Sequence, residues 1–180
     1  MITQLKLLLK HLWLDASDAA RAIPPDMLER LARRVAASER RHSGEIRICV
    51  EAALPASTLW RLDGNHSLAA LTRERAVAMF GKLGVWDTEH NNGILIYLLV
   101  AEHAIEIVAD RGVARHVSAA QWQAMVAHMA SAFKEQRYED GLTQALEECS
   151  AVLMQHFALQ PGASGVHDAG NELPDAPLIQ

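Results

Sequence analysis

Ile94-Leu95-Ile96-Tyr97-Leu98-Leu99-Val100-Ala101, then Glu102-His103, then Ala104-Ile105-Glu106-Ile107-Val108-Ala109-Asp110, is the stretch on which the fold turns. The first part is an almost unbroken apolar run bounded by turn residues. It predicts a central strand over 94–101, covered on both faces. Glu102-His103 is a tight connection, and 104–110 returns as an antiparallel strand that Arg111-Gly112 turns. Upstream, Glu45-Ile46-Arg47-Ile48-Cys49-Val50-Glu51 alternates, with Ile46, Ile48 and Val50 on one face, as a strand does. The connection from this strand to residue 94 is long and carries a helix over 72–82, as a right-handed parallel crossover requires.

The helices around these strands read from their own signals. Pro24-Pro25-Asp26 opens a helix with Met27, Leu28, Leu31 and Val35 on one stripe, and with Glu29, Arg30, Arg33, Arg34, Glu39 and Arg40 largely on the other face. Ser118-x-x-Gln121 is a capping box ahead of Trp122, Met125, Met129 and Phe133. A last helix carries Leu142, Leu146, Cys149, Leu153 and Phe157. The order helix, strand, helix, strand, strand, helix, helix predicts an α/β sandwich: a small mixed sheet flanked by helices on both faces. Residues 1–23 read as an N-terminal amphipathic helix and linker, 24–159 as the α/β domain, and 160–180, rich in Pro, Gly and Asp, as a flexible C-terminal tail. Leu173, Leu178 and Ile179 are the apolar residues of that tail available for docking.

Composition narrows the function classes. The 180 residues are 50% hydrophobic and 22% charged, with net charge -5. This is globular composition, with no chain-wide basic surface for nucleic acid. No apolar run reaches the roughly 18 residues of a membrane span. Lys6, Lys10 and His11 interrupt the leucine-rich start, so Leu5, Leu8, Leu9, Leu12 and Trp13 are expected to dock on the domain as one stripe. Cys49 and Cys149 sit far apart in apolar stretches and read as buried thiols, which favours a reducing, cytoplasmic setting. GxGxxG, GxxxxGK[ST], HExxH and GxSxG are all missing from the sequence. The four tryptophans read as core or rim anchors.

Asp87-x-Glu89-x-Asn91-Asn92-Gly93 is the most chemically loaded stretch. Its alternating oxygen donors match the first half of an EF-hand loop, but Asn92 occupies the turn-glycine position and Leu98 the position of the bidentate glutamate. A solvated turn whose Asp and Asn side chains cap their own backbone is the competing reading. If strands 45–51 and 94–101 are parallel and 104–110 returns, Glu45, the Asp87–Asn92 loop and Asp110 all reach one edge of the sheet. Carboxylates gathered there repel unless they are solvated, protonated or bound to a cation. Glu45, Asp87, Glu89, Asn91, Asn92 and Asp110 are therefore the candidate ligands of an oxygen-coordinated divalent cation, Ca2+ before Mg2+.

Several of these stretches resemble the TPM domain, a family named after a thylakoid lumen protein, a photosystem-associated protein and a nematode receptor accessory protein. They are Ser43-Gly44-Glu45-Ile46, Asn91-Asn92-Gly93-Ile94-Leu95-Ile96, Ile105 to Val113, and Phe133…Tyr138-Glu139-Asp140-Gly141-Leu142. The likeness spans roughly residues 25–157. It implies a Rossmann-like α/β/α sandwich, a divalent-cation site usually discussed as calcium, and the disputed phosphatase activity of the plant member. The family's NNG motif falls on Asn91, Asn92 and Gly93, and its strand-end acidic position on Asp110. The turn here reads Asp110-Arg111-Gly112 where Gly-x-Gly is more usual.

The expected function is that of a soluble, short, bacterial-type member acting as a cation-binding accessory or interaction module. The alternative is a metal-dependent, acid-phosphatase-like hydrolase. No nucleic-acid partner is expected, and a protein partner is left open. Catalytic residues are not identifiable from the sequence.

Overall fold

The computed structural model describes residues 2–62, 66–159 and 172–180, without the side chains of residues 2–5. In chain order the elements are α1 (Ile2–Trp13), α2 (Ala16–Ala22), α3 (Pro25–Glu39), β1 (Ile46–Glu51), α4 (Ala56–Leu59), α5 (Leu68–Lys82), β2 (Ile94–Leu99), a 3₁₀ turn (Val100–Glu102), β3 (Ala104–Ala109), α6 (Arg111–Ala114), α7 (Ala119–Lys134), α8 (Tyr138–Phe157) and β4 (Leu178–Ile179). The sheet order is β3-β2-β1-β4. β1 and β2 pair in parallel with Ile46 beside Ile94, and β2 and β3 pair antiparallel with Ile94 opposite Ala109. The expected α/β sandwich with a small mixed sheet is what forms.

The pleat divides the core in two. Ile46, Ile48, Val50, Ile94, Ile96, Leu98, Ile105 and Ile107 face α2, α3, α7 and α8, where Leu31, Val35, Phe133, Leu142 and Leu153 meet them. Cys49, Leu95, Tyr97, Leu99 and Val108 face α4 and α5, through Leu59, Leu71, Ala76 and Met79. Both faces of β1 and β2 are covered, which explains the unbroken apolar run. The polar residues on that second face are satisfied: Glu51 accepts from the Arg75 guanidinium and from Tyr97 Oη at 2.6 Å. Ser118 and Gln121 form the expected capping box, and Asp15 and Asp18 form a second one on α2. Gly141 is needed because a Cβ there would lie 2.6 Å from the Phe133 ring. Cys49 and Cys149 are buried free thiols, both pushed up to about 12 by burial.

Four expectations are corrected. The stretch expected as a linker after α1 contains α2, whose Ala19, with Ile23 behind it, lies in the core. The leucine stripe of α1 faces inward only in part: Leu8 packs on the α5-side core, while Leu9, Leu12 and Trp13 are exposed. The helix also docks through buried His11, which accepts from Leu54 N at 3.0 Å and contacts Glu102 at 3.1 Å. Trp13, Trp60 and Trp86 are largely exposed, against the anchor reading, while Trp122 packs on the core.

The fourth correction concerns the tail. Residues 160–171 lie outside the described residues, but 172–180 are not loose. Leu178 and Ile179 add to β1 as a fourth, parallel strand, beside Cys49 and Val50. Gln180 N donates to Val50 O, and Ala52 N donates to Gln180 O, both at 2.9 Å. Arg47, almost buried, donates to the carbonyls of Pro174 and Ala176. Leu173 is 7% exposed and joins the α5-side core. Two prolines and a short apolar set carried too little periodicity to announce this, yet the edge of β1 and a buried guanidinium both need partners.

Leu173→Ala is expected to destabilise the protein by about 2 kcal/mol, the low end for a buried leucine. For a chain of this length that lowers Tm by roughly 4–8 °C. A melting curve that does not move would show that the docked segment adds nothing to stability.

Candidate functional site

Parallel pairing of β1 with β2, and the return of β3, bring the predicted acidic positions to one end of the sheet. Ile94 N donates to Glu45 O at 2.8 Å, and Asp110 N donates to Gly93 O at 2.9 Å. Strands are spaced by about 4.8 Å, so the Glu45 and Asp110 backbones stand about 10 Å apart. The end of the sheet is thus a row with two regions, one around Asp110 and one around Glu45.

Around Asp110 the backbone is crowded. The loop leaves α5 through Gly84, whose φ of +68° lies in the left-handed region. Asn91 is also left-handed, at φ 53°. Asn92 is buried and ties the loop down: its N–H donates to Thr88 Oγ1 at 3.0 Å, and its Nδ2 donates to Ser43 O at 3.0 Å and to Ser43 Oγ at 3.2 Å. A Cβ on Gly93 would lie 2.0 Å from Val85 O, and one on Gly112 would lie 2.4 Å from Asn91 O and 2.9 Å from His90 O. Gly112 N donates to Asn91 O at 2.9 Å. The NNG stretch and the glycine after Arg111 therefore bring two turns of backbone against each other beside Asp110.

Asp110 is 6% exposed. Its Oδ1 accepts from Arg111 N at 2.6 Å, capping α6. Its Oδ2 is buried with no hydrogen-bond partner, the one such side-chain atom among the described residues. Arg111, Asp87, Glu89 and Asn91 are exposed. Among the described residues no three His, Cys, Asp or Glu side chains form a group able to hold a metal ion. Donors to a cation at Asp110 would thus be its free oxygen, backbone carbonyls of the adjoining turns and water.

Around Glu45 the neighbours come from elements the sequence reading did not place there. A cavity of about 350 Å³ is bounded by Glu39, Arg40, His42, Glu45, Glu89, His90 and, from the C-terminal segment, Glu172 and Asp175. Glu45 Oε2 accepts from Leu173 N at 3.3 Å, and Glu172 Oε2 accepts from Glu89 N at 3.2 Å. Glu39 Oε1 accepts from Ile46 N at 2.8 Å. Burial, then the nearby Glu45 and Asp175 carboxylates, push Glu39 up to about 8. Burial also raises Glu45. His42 is driven down to about 4 by burial and is neutral at pH 7. Its Nδ1 donates to Gly44 O at 3.0 Å, leaving Nε2 to accept from Ser38 Oγ at 2.9 Å. Glu39 was read as part of the solvated face of α3; its contact with Ile46 N at the start of β1 and the covering tail make it otherwise.

The family comparison confirms what these motifs suggest. A family model described as the TPM domain matches residues 16–152, most of the chain. The chain belongs to the TPM domain family. Its match starts before the expected boundary at residue 24, in keeping with α2 being part of the core. Among solved structures it resembles the BA42 protein of the psychrophilic bacterium Bizionia argentinensis, determined by NMR. The two share 23% identity and a TM-score of 0.68, covering 87% of this chain and 94% of BA42. At that identity the likeness bears on the fold. Comparison with curated proteins gives no match. No helix among the described residues is long and apolar enough to cross a membrane.

Two outcomes test this TPM-domain geometry. Gly93→Ala is expected to destabilise by about 2–3 kcal/mol, because backbone rather than a movable side chain opposes the new methyl. An urea midpoint unchanged from the parent would contradict that crowding. For Glu39, the folded chain keeps a proton that the unfolded chain releases near 4.5. The stability this supplies is fully present below pH 4.5 and is lost as pH rises to about 8. Glu39→Gln should therefore gain steadily on the parent as pH rises from 5 to 8. Parallel pH profiles for the two proteins would refute the raised Glu39 value.

Proposed function

We propose that this TPM domain is a divalent-cation-binding accessory module, with Asp110 as its anchoring ligand. The support is a single observation: Asp110 Oδ2 is buried beside two closely packed turns and meets no donor. A buried carboxylate oxygen with no donor is costly, and a hard cation or a proton relieves the cost. The surroundings suit a hard cation, because Asn91 and His90 present backbone carbonyls at the Gly112 contact. One protein carboxylate with carbonyls and water makes a weak site. Glu45, Asp87, Glu89, Asn91 and Asn92 keep supporting roles in this reading: Asn92 fixes the loop, Glu45 holds the C-terminal segment, and exposed Asp87 and Glu89 raise the local negative charge. A bound cation would screen Asp110 and, with an open coordination position, polarise a phosphoryl oxygen. That is the chemistry a phosphatase reading needs.

Calcium at ten times its Kd stabilises the native state by about 1.4 kcal/mol. The expected rise in Tm is roughly 3–6 °C. Asp110→Asn keeps the helix cap and removes the stranded charge, so it should fold at least as stably as the parent and lose the calcium shift. If neither Ca2+ nor Mg2+ at millimolar concentration moves the parent's Tm, Asp110 is only a cap. Turnover of an aryl phosphate that needs the cation and falls with Asp110→Asn would convert the accessory reading into the hydrolase one.

A further inference from the structure

The C-terminal segment touches the sheet end at three separate places. On β1 it forms β4, with the Gln180–Val50 and Ala52–Gln180 hydrogen bonds and the two Arg47 contacts to Pro174 and Ala176. At the start of β1 its Leu173 N–H is held by Glu45. On the 87–93 loop its Glu172 accepts from Glu89 N. It is therefore a bridge from the β1 edge to the loop that carries the NNG stretch, and it roofs the cavity between them.

The forces on this bridge oppose one another. Burial of Leu173 and the backbone bonds favour docking. Against it, docking gathers the Glu172 and Asp175 carboxylates around one cavity with Glu45 and Glu89, and Glu45 feels both as like charges, whereas Glu39, which keeps its proton, hydrogen-bonds Asp175. Arg40 is the one arginine or lysine on the cavity wall. β4 itself is two residues long. A short strand held by few bonds and strained by like charge opens locally well before the whole domain does.

We infer that residues Glu172–Gln180 form a releasable strap: docked, it orders the 87–93 loop; released, it opens both the cavity and the edge of β1. Loop order and strap docking then share one equilibrium, so whatever loosens one loosens the other. This does not depend on a cation at Asp110.

Amide hydrogen exchange on the full chain tests it. In the parent, Ala52 and Gln180 amides should exchange at least tenfold faster than the central Ile96 amide. Exchange as slow as that of Ile96 would mean the strap is a permanent strand and would overturn release. Glu172→Ala changes an exposed side chain and should leave the fold intact. It should speed exchange at Glu89 and, through the coupling, at Ala52 and Gln180 by several-fold. Arg47→Met should act from the other end, speeding Ala52 and Gln180 first and the Glu89, Asn91 and Asn92 amides with them. If Glu172→Ala leaves Ala52 and Gln180 unchanged, or Arg47→Met frees them while the loop amides stay put, the two ends are not coupled and the inference fails.

Discussion

The parallel pairing of β1 with β2 is the constraint from which the rest follows. With Ile46 beside Ile94, the strands start at the same end, and the β2–β3 hairpin returns Asp110 to it. An antiparallel pairing would have sent Glu45 to the opposite end, about 20 Å away for a six-residue strand. The long connection through α4 and α5 is what makes the parallel arrangement feasible, and α5 then covers the sheet face it crosses.

Close approach of backbone is the second requirement, and it explains why the motif residues are what they are. Gly93 lies against Val85 O, and Gly112 lies against the carbonyls of His90 and Asn91. Asn92 spends its amide on Ser43, stitching the loop to the entry of β1. These residues build the wall in which Asp110 is stranded. In this chain the NNG stretch is thus in large part a backbone device, packed beside the buried acidic residue at the end of β3.

The sheet and its acidic end were legible because they rest on local signals. The apolar run over 94–101, the alternation over 45–51 and the crossover length each have one physical reading, and together they fix the topology. Element ends were less legible: α5 starts at Leu68, four residues before the expected 72, and the last helix starts at Tyr138. What could not be read depends on distant parts meeting. Glu39 sits on a polar helical face by periodicity, and the start of β1 and Asp175, far along the chain, enclose it. Leu178 and Ile179 form too short a strand for an alternation to exist. The outward turn of Leu9, Leu12 and Trp13 follows from His11 finding Leu54 N and Glu102, a contact no stripe of leucines announces.

Arg47 has a consequence in the order of assembly. It is bonded to Pro174, 127 residues away in the chain. Closing so large a loop is entropically slower than forming the β2–β3 hairpin or packing α7 on α8, so β4 is the last strand to join. Until then β1 is an outer strand with open backbone groups, the kind of edge along which incompletely folded chains stick to one another. A lone arginine set into such a strand is a known safeguard, because pairing with a foreign strand would bury its charge without the carbonyls of Pro174 and Ala176. The same side chain that later clamps the native segment thus acts, during biogenesis, as a gatekeeper against aggregation.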